Sequence, residues 1–148
     1  MSMKIQSPVF NHNESIPAKY TCDGENTNPP ILISDVPESA QSLVLIVDDP
    51  DAPAGTWAHW TIWNIETKTA EIAENSVPVG AVEGKTSYNK PGFGGPCPPF
   101  GEHRYFFKLY ALDSVLDLPA STSKEDLEKE MDGHILEQAE LIGLYKRP

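Results

Sequence analysis

The chain has little that would mark a disulfide scaffold, a membrane anchor or a nucleic-acid partner. Its 148 residues include two cysteines, Cys22 and Cys97, too few for a disulfide-built mini-domain or a zinc knuckle. One disulfide between them is open to the chain, but reduced thiols in a cytoplasmic protein are the simpler expectation. No apolar run approaches the ~18 residues of a membrane-spanning helix. The start, MSMKIQSPVF, lacks a charged segment followed by an apolar run, so neither a secretory leader nor an integral membrane segment is expected. Positive charge is scarce too: 11 Lys and Arg stand against 22 Asp and Glu, a net charge of −11. Such a surface repels nucleic-acid phosphates and anionic bilayers, so an anion that binds must be held by local donors. Internal repeats and low-complexity tracts are also missing.

What is there reads as a folded domain. Apolar residues make up 39% and charged residues 22%, and the length suits a single domain over 1–148. The 14 prolines fall between apolar runs, as in a fold of short strands joined by stiff turns. Ser42 to Val47 (SLVLIV) predicts a strand buried on both faces. It stops at Asp48-Asp49-Pro50-Asp51-Ala52-Pro53, where two prolines cannot continue a ladder. Trp57 to Ile65 (WAHWTIWNI) is aromatic and β-branched, hence a strand, and a period of two puts Trp57, His59, Thr61 and Trp63 on one face. Arg104 to Leu112 predicts a third strand, with Tyr105, Phe107, Leu109 and Ala111 on one face and Arg104, Phe106, Lys108 and Tyr110 on the other. Ile31 to Ser34 and Lys4 to Val9 are weaker strands. Lys85 to Glu102 is a long Gly- and Pro-rich loop, of a length that usually carries function, stiffened by Pro96, Pro98 and Pro99. The end is expected to be helical. Thr122 and Glu125 fit a capping box, with Ser123 as a second cap. Leu127, Met131 and Ile135, then Leu136, Ala139 and Ile142, recur at helical spacing. Asp132-Gly133 divides this stretch into two helices, with Asp132 capping the second.

Three places carry chemistry. Three carboxylates within Asp48-Asp49-Pro50-Asp51 repel one another unless hydrogen bonds or a cation hold them. His59 lies in the aromatic strand, and Gly101-Glu102-His103-Arg104-Tyr105 marks the return from loop to strand. Singly, each reads as a solvated turn, a hydrogen-bonded histidine or an arginine pairing a carboxylate. Jointly they lie at strand–loop junctions, which converge on one rim in a sheet fold. Asp49, Asp51, His59 and His103 then line a pocket walled by Gly92 to Pro99. Imidazole and backbone N–H donors suit a phosphate or carboxylate. The aspartates would hold the histidines in the donor tautomer or raise their pKa.

DPDAP at 49–53, AHW at 58–60, GPCPP at 95–99 and GEHRY at 101–105 resemble, in order and spacing, the phosphatidylethanolamine-binding protein family, also called the Raf kinase inhibitor protein family. The closest likeness is to its compact prokaryotic branch. The opening and GHILEQAELIGLY at 133–145 extend the likeness over nearly the whole chain. The resemblance implies a mainly antiparallel β-sandwich with a Greek-key element and a C-terminal helix. It implies a surface cavity for phosphate-like anions, including phospholipid head groups. Carried over, the site is Asp49, Asp51, His59, His103 and Tyr105, walled by Gly94, Gly95, Pro96 and Cys97. Pro50 and Trp60 support it. Arg104 tethers the Asp loop, with Asp49 as its partner.

The resulting expectation is a cytoplasmic, non-catalytic binding protein without a cofactor. Its ligand would be a phosphate-containing small molecule or head group, its protein partner a kinase or serine protease, and its assembly a homodimer. Two enzymatic readings compete. Two His and two Asp suit zinc or iron, although no short His–His spacing is present. Cys97 with His59 or His103 would make a cysteine hydrolase, if its thiol were activated.

Overall fold

The computed structural model describes residues 2–148. Among the described residues, nine strands form two sheets. The small sheet runs β1 (Lys4–Gln6), β3 (Ile31–Ser34), β6 (Glu71–Ile72). The large sheet runs β2 (Glu14–Ser15), β9 (Ile135–Tyr145), β8 (His103–Leu112), β4 (Ser42–Asp49), β5 (Trp57–Ile65), β7 (Val82–Glu83). Neighbours are antiparallel except β2 on β9.

The apolar run of β4 sits at the centre of the large sheet because both of its faces are covered. Leu43, Leu45 and Val47 join Ile5, Ile31, Ile33 and Ile72 of the small sheet, with Phe107 and Leu109 from β8, in a core between the sheets. Val44 and Ile46 point the other way, onto Trp63, Leu112, Leu127 and Met131. The last two belong to α1 (Lys124–Met131), which roofs the outer face of the large sheet. Each such side chain contributes about 1.5–3 kcal/mol by leaving water, so β4 anchors three layers at once. No helix is long and apolar enough to cross a membrane, among the described residues.

The chain end departs from its reading as two helices. α1 begins at Ser123, whose hydroxyl accepts the Asp126 N–H at 3.2 Å. Thr122 instead donates its hydroxyl to the Pro119 carbonyl, so the capping box does not form. Asp132 closes α1 rather than opening a second helix, and Gly133 turns the chain at φ 83°. Ile135 to Tyr145 is then a strand, paired with β8 from Leu112↔Ile135 to His103↔Tyr145. Its helical stripe loses because a ten-residue β8 would otherwise leave its backbone polar groups without partners along one edge. Leu141, Gly143 and Tyr145 are buried at alternate positions, the period of a strand face.

A second departure concerns β5. Val47 pairs with Trp60 but Asp48 pairs with Ala58, so His59 is an extra residue, a β-bulge. Bulges break the alternation of faces. His59 and Trp60, consecutive in sequence, both face the core between the sheets, against Tyr105 and its neighbours. Thr61 and Trp63 stay on the helix side, packed together at Gly84. The expected common face for Trp57, His59, Thr61 and Trp63 is therefore split in two.

Candidate functional site

β4 ends in two aspartates that the strand period sends to opposite faces. Asp49 faces the inter-sheet side and is 3% exposed. Its Oδ2 accepts from His103 Nδ1 at 2.6 Å and its Oδ1 from the Asp51 N–H at 2.8 Å. Asp48 faces α1, with Lys108 at 3.0 Å and Lys124 at 3.7 Å. The expected repulsion within the Asp run is thus relieved by a separate set of donors for each carboxylate. Asp51 takes three bonds of 2.9 Å from Arg104, through its backbone N, Nε and Nη2. The guanidinium holds the Asp51 carboxyl down at about 2. Arg104 therefore tethers the Asp loop through Asp51, not Asp49, because Asp49 is already committed to His103.

The bulge delivers His59 to the same side. Its Nδ1 lies 2.7 Å from the Gly94 carbonyl, which can only accept, so Nδ1 carries the proton. Burial pushes the His59 pKa below its ordinary value, against the pull of that carbonyl and of Asp49. The expected rise does not occur for His59, because the cost of burying its charged form outweighs the Gly94 carbonyl and Asp49. The Tyr105 ring lies against both imidazoles, edge-on to His59 at 5.2 Å and stacked on His103 at 6.4 Å. Its hydroxyl is buried without a hydrogen-bond partner, and burial pushes its pKa up.

Two aromatic residues complete the setting that the sequence reading did not assign to it. Tyr88 meets His59 at 5.8 Å and Trp57 at 5.5 Å, and its hydroxyl donates to the Gly95 carbonyl at 3.0 Å. A lone tyrosine inside the Gly/Pro loop, KTSYNKPGFGGP, was the available signal. The wall itself demands glycine at two positions. A Cβ on Gly94 would strike the Tyr88 ring, and one on Gly95 would strike Asn26 and the Tyr20 carbonyl.

That wall is fastened to the N-terminal segment. Gly95 N–H donates to Asn26 Oδ1 at 2.8 Å, Cys22 N–H donates to the Pro96 carbonyl at 3.1 Å, and Cys22 and Cys97 form a disulfide. The expectation of reduced thiols is corrected: the two segments meet with Cα atoms 5.4 Å apart, within bridging range. Cys97 therefore offers no thiol, which removes the cysteine-hydrolase reading. The expectation of a cytoplasmic location also loses its support from the thiols, since disulfides persist in oxidising compartments. Trp60 is fully buried with its indole N–H on Glu83 at 2.6 Å, while Pro50 sits exposed at the turn.

The arrangement has a definite chemistry. Both imidazoles have Nδ1 engaged, one on a carbonyl and one on a carboxylate. Each retains Nε2, an acceptor when the ring is neutral and a donor when it is protonated. With the Tyr105 hydroxyl, the site holds three uncommitted polar groups on one aromatic wall. Among the described residues, no group of three or more His, Cys, Asp and Glu is arranged to hold a metal ion. Asp49 and Asp51 are instead bound to His103 and Arg104.

Comparison with known proteins supports the family and the fold. The profile of the phosphatidylethanolamine-binding protein family matches residues 6–146. A UPF0098 protein of Methanothermobacter thermautotrophicus is 50% identical, covering 98% of this chain and 99% of its own length. Another, from Aquifex aeolicus, is 47% identical over 98% of this chain and 89% of its own. The crystal structure of a phosphatidylethanolamine-binding protein homolog, CT736 of Chlamydia trachomatis, superposes with a TM-score of 0.96 at 42% identity, covering 99% of both chains. That of YbcL from E. coli, described as a member of the mammalian family, gives 0.93 at 29% identity over 100% of both chains. By sequence along nearly its whole length and by fold, this chain belongs to the phosphatidylethanolamine-binding protein family.

Proposed function

We propose that the protein is a non-catalytic binding protein whose pocket takes a phosphate-bearing group, either a free small molecule or a phospholipid head group. One observation carries this reading: the Tyr105 hydroxyl is buried without a partner, on a ring that lies against two imidazoles whose Nδ1 atoms are already fixed. A buried donor left without a partner costs about 1–3 kcal/mol, and a phosphate oxygen would relieve it. Asp49, Asp51 and Cys97, the groups chemically able to act as base or nucleophile, are each already bonded. The low exposure of His59, His103 and Tyr105, at 3%, 5% and 1%, favours a compact anion over a bulky one. Regulation of a protein kinase or serine protease, and a homodimeric assembly, would build on this pocket and the loop that walls it.

The sign of the pH dependence follows from the tautomers. An anion binds the protonated rings, whose Nε2 then donates. Burial has moved His59 below its ordinary value, so its protonation is uphill at neutral pH. Affinity for inorganic phosphate and O-phosphoethanolamine, measured by calorimetry, is expected to rise as pH falls below about 6.5. His59→Ala and Tyr105→Phe are each expected to weaken binding about tenfold, the loss of one bond to a charged group. Affinity that is flat with pH and indifferent to both variants would overturn the reading. Vesicles containing phosphatidylethanolamine, compared with free phosphate, distinguish head group from small molecule.

A further inference from the structure

A recess of about 290 Å³ opens beside the loop that walls the anion pocket, between the 26–28 segment, the 75–77 turn, Glu83 and Phe93. Its lining is unlike that of the anion pocket. No lysine, arginine or histidine lines it.

The walls are set without any ligand. Asn28 is saturated by structural bonds: its side chain donates to the Ala73 carbonyl at 3.0 Å and accepts the Ser76 N–H at 2.9 Å, and its carbonyl accepts the Asn75 N–H at 3.1 Å. Asn26 accepts the Gly95 N–H. A recess fixed in this way loses little entropy when it is filled. Two of the groups left over can accept from a cation. Glu83 Oε2 is held by the Trp60 indole at 2.6 Å, which positions the carboxylate and leaves Oε1 open. Among the described residues, Glu83 forms no ion pair with a lysine or arginine. Thr27 Oγ1 is buried without a partner. Phe93 stands edge-on to Trp60 at 5.5 Å, adding an aromatic wall of the kind that attracts cations.

We propose that this recess binds an organic cation, an alkylammonium or guanidinium group. The charge argues for this class over a neutral polyol. A held carboxylate without a cationic partner lies in a chain of net charge −11, whose field concentrates cations. The ammonium hydrogens would reach Glu83 Oε1 and Thr27 Oγ1, with the alkyl stem along Phe93. The same chemistry can come from a free amine or from a lysine or arginine side chain of a partner. The site is separate from the anion pocket and does not depend on it. The two are linked at Gly94-Gly95, where one residue accepts from His59 and the next donates to Asn26, and through Trp60, the neighbour of His59, whose indole holds Glu83.

The test is titration of the intact, disulfide-bonded protein with n-butylammonium, agmatine and glycerol at low salt, followed by NMR of the Asn75 and Phe93 amides. Saturable shifts with both cations and none with glycerol are expected. Glu83→Gln keeps an acceptor for Trp60 and should weaken cation binding about tenfold. Phe93→Leu should weaken it about threefold. Phosphate affinity should be unchanged in Glu83→Gln. A blocked Gly-Lys-Gly peptide that binds more tightly than butylammonium assigns the cation to a partner protein, and equal or weaker binding assigns it to a small amine. Absence of saturable cation binding, glycerol binding as well as the cations, or equal affinity in Glu83→Gln would overturn the proposal.

Discussion

Asp48 and Asp49 are neighbours in sequence, identical in type, and at most 3% exposed, yet they serve different layers. Asp49 joins the pocket side through His103, and Asp48 joins the helix side through Lys108 and Lys124. The pocket side is fastened covalently, by Cys22–Cys97, with a loop whose Gly94 and Gly95 leave no room for a side chain. The helix side is held by packing of Leu127 and Met131 and by ion pairs. Both sides leave buried polar atoms without partners: Tyr105 Oη on one, and Asp48 Oδ1, Thr61 Oγ1 and Trp63 Nε1 on the other. The difference is that the orphan on Asp49's side belongs to a ring packed against two imidazoles, each with a free nitrogen. A buried polar atom thus suggests binding when its neighbours offer complementary groups, and not by its burial alone.

This contrast can be broken in three ways. The largest effect should come from the disulfide, which joins residues 75 apart in sequence. Replacing both cysteines with serine should cost about 4 kcal/mol in chemical denaturation, through loop entropy of the unfolded chain. Hydrogen exchange should then quicken around residues 20–26 and 92–97 but not in α1; equal loss in α1 would erase the contrast. Next, Lys108→Met leaves fully buried Asp48 with only the longer Lys124 contact. A loss of about 3 kcal/mol is expected, with phosphate affinity unaltered. The smallest effect on stability is the sharpest comparison. Tyr105→Phe and Thr61→Val each remove a partnerless hydroxyl, so each should leave stability within about 1 kcal/mol or raise it slightly. Only the first should weaken phosphate binding, and a matching loss in Thr61→Val would show that the two sides are coupled.

Much of the centre of the fold was legible in the sequence, and the reason is burial. β4, β5 and β8 lie where runs of apolar and β-branched residues read most readily as strands, β3 was a weaker candidate, and the bounds of all four agree within two residues. The terminal strand was illegible because ILEQAELIGLY satisfies a helical stripe locally. Its strand state comes from pairing with β8, far away in sequence, which overrides propensity. The same holds at the pocket. His59, His103 and Asp49 could be brought to one rim from strand ends and motif order. Tyr88 and the disulfide could not, since both depend on how an 18-residue loop of irregular backbone folds against residues 20–26. Arg104 was given the right task and the wrong carboxylate, because the choice between Asp49 and Asp51 rests on a turn whose Asp51 N–H closes on Asp49 Oδ1.

The extra residue at His59 makes the pocket a matter of counting as much as of composition. Removing Ala58 would undo the shift between Val47 and Asp48 and carry the imidazole through the sheet to the layer beneath α1. Every side chain of the site would still be encoded, but they would no longer meet, so a chain of nearly unchanged sequence would keep its sandwich and scatter the groups proposed to hold an anion.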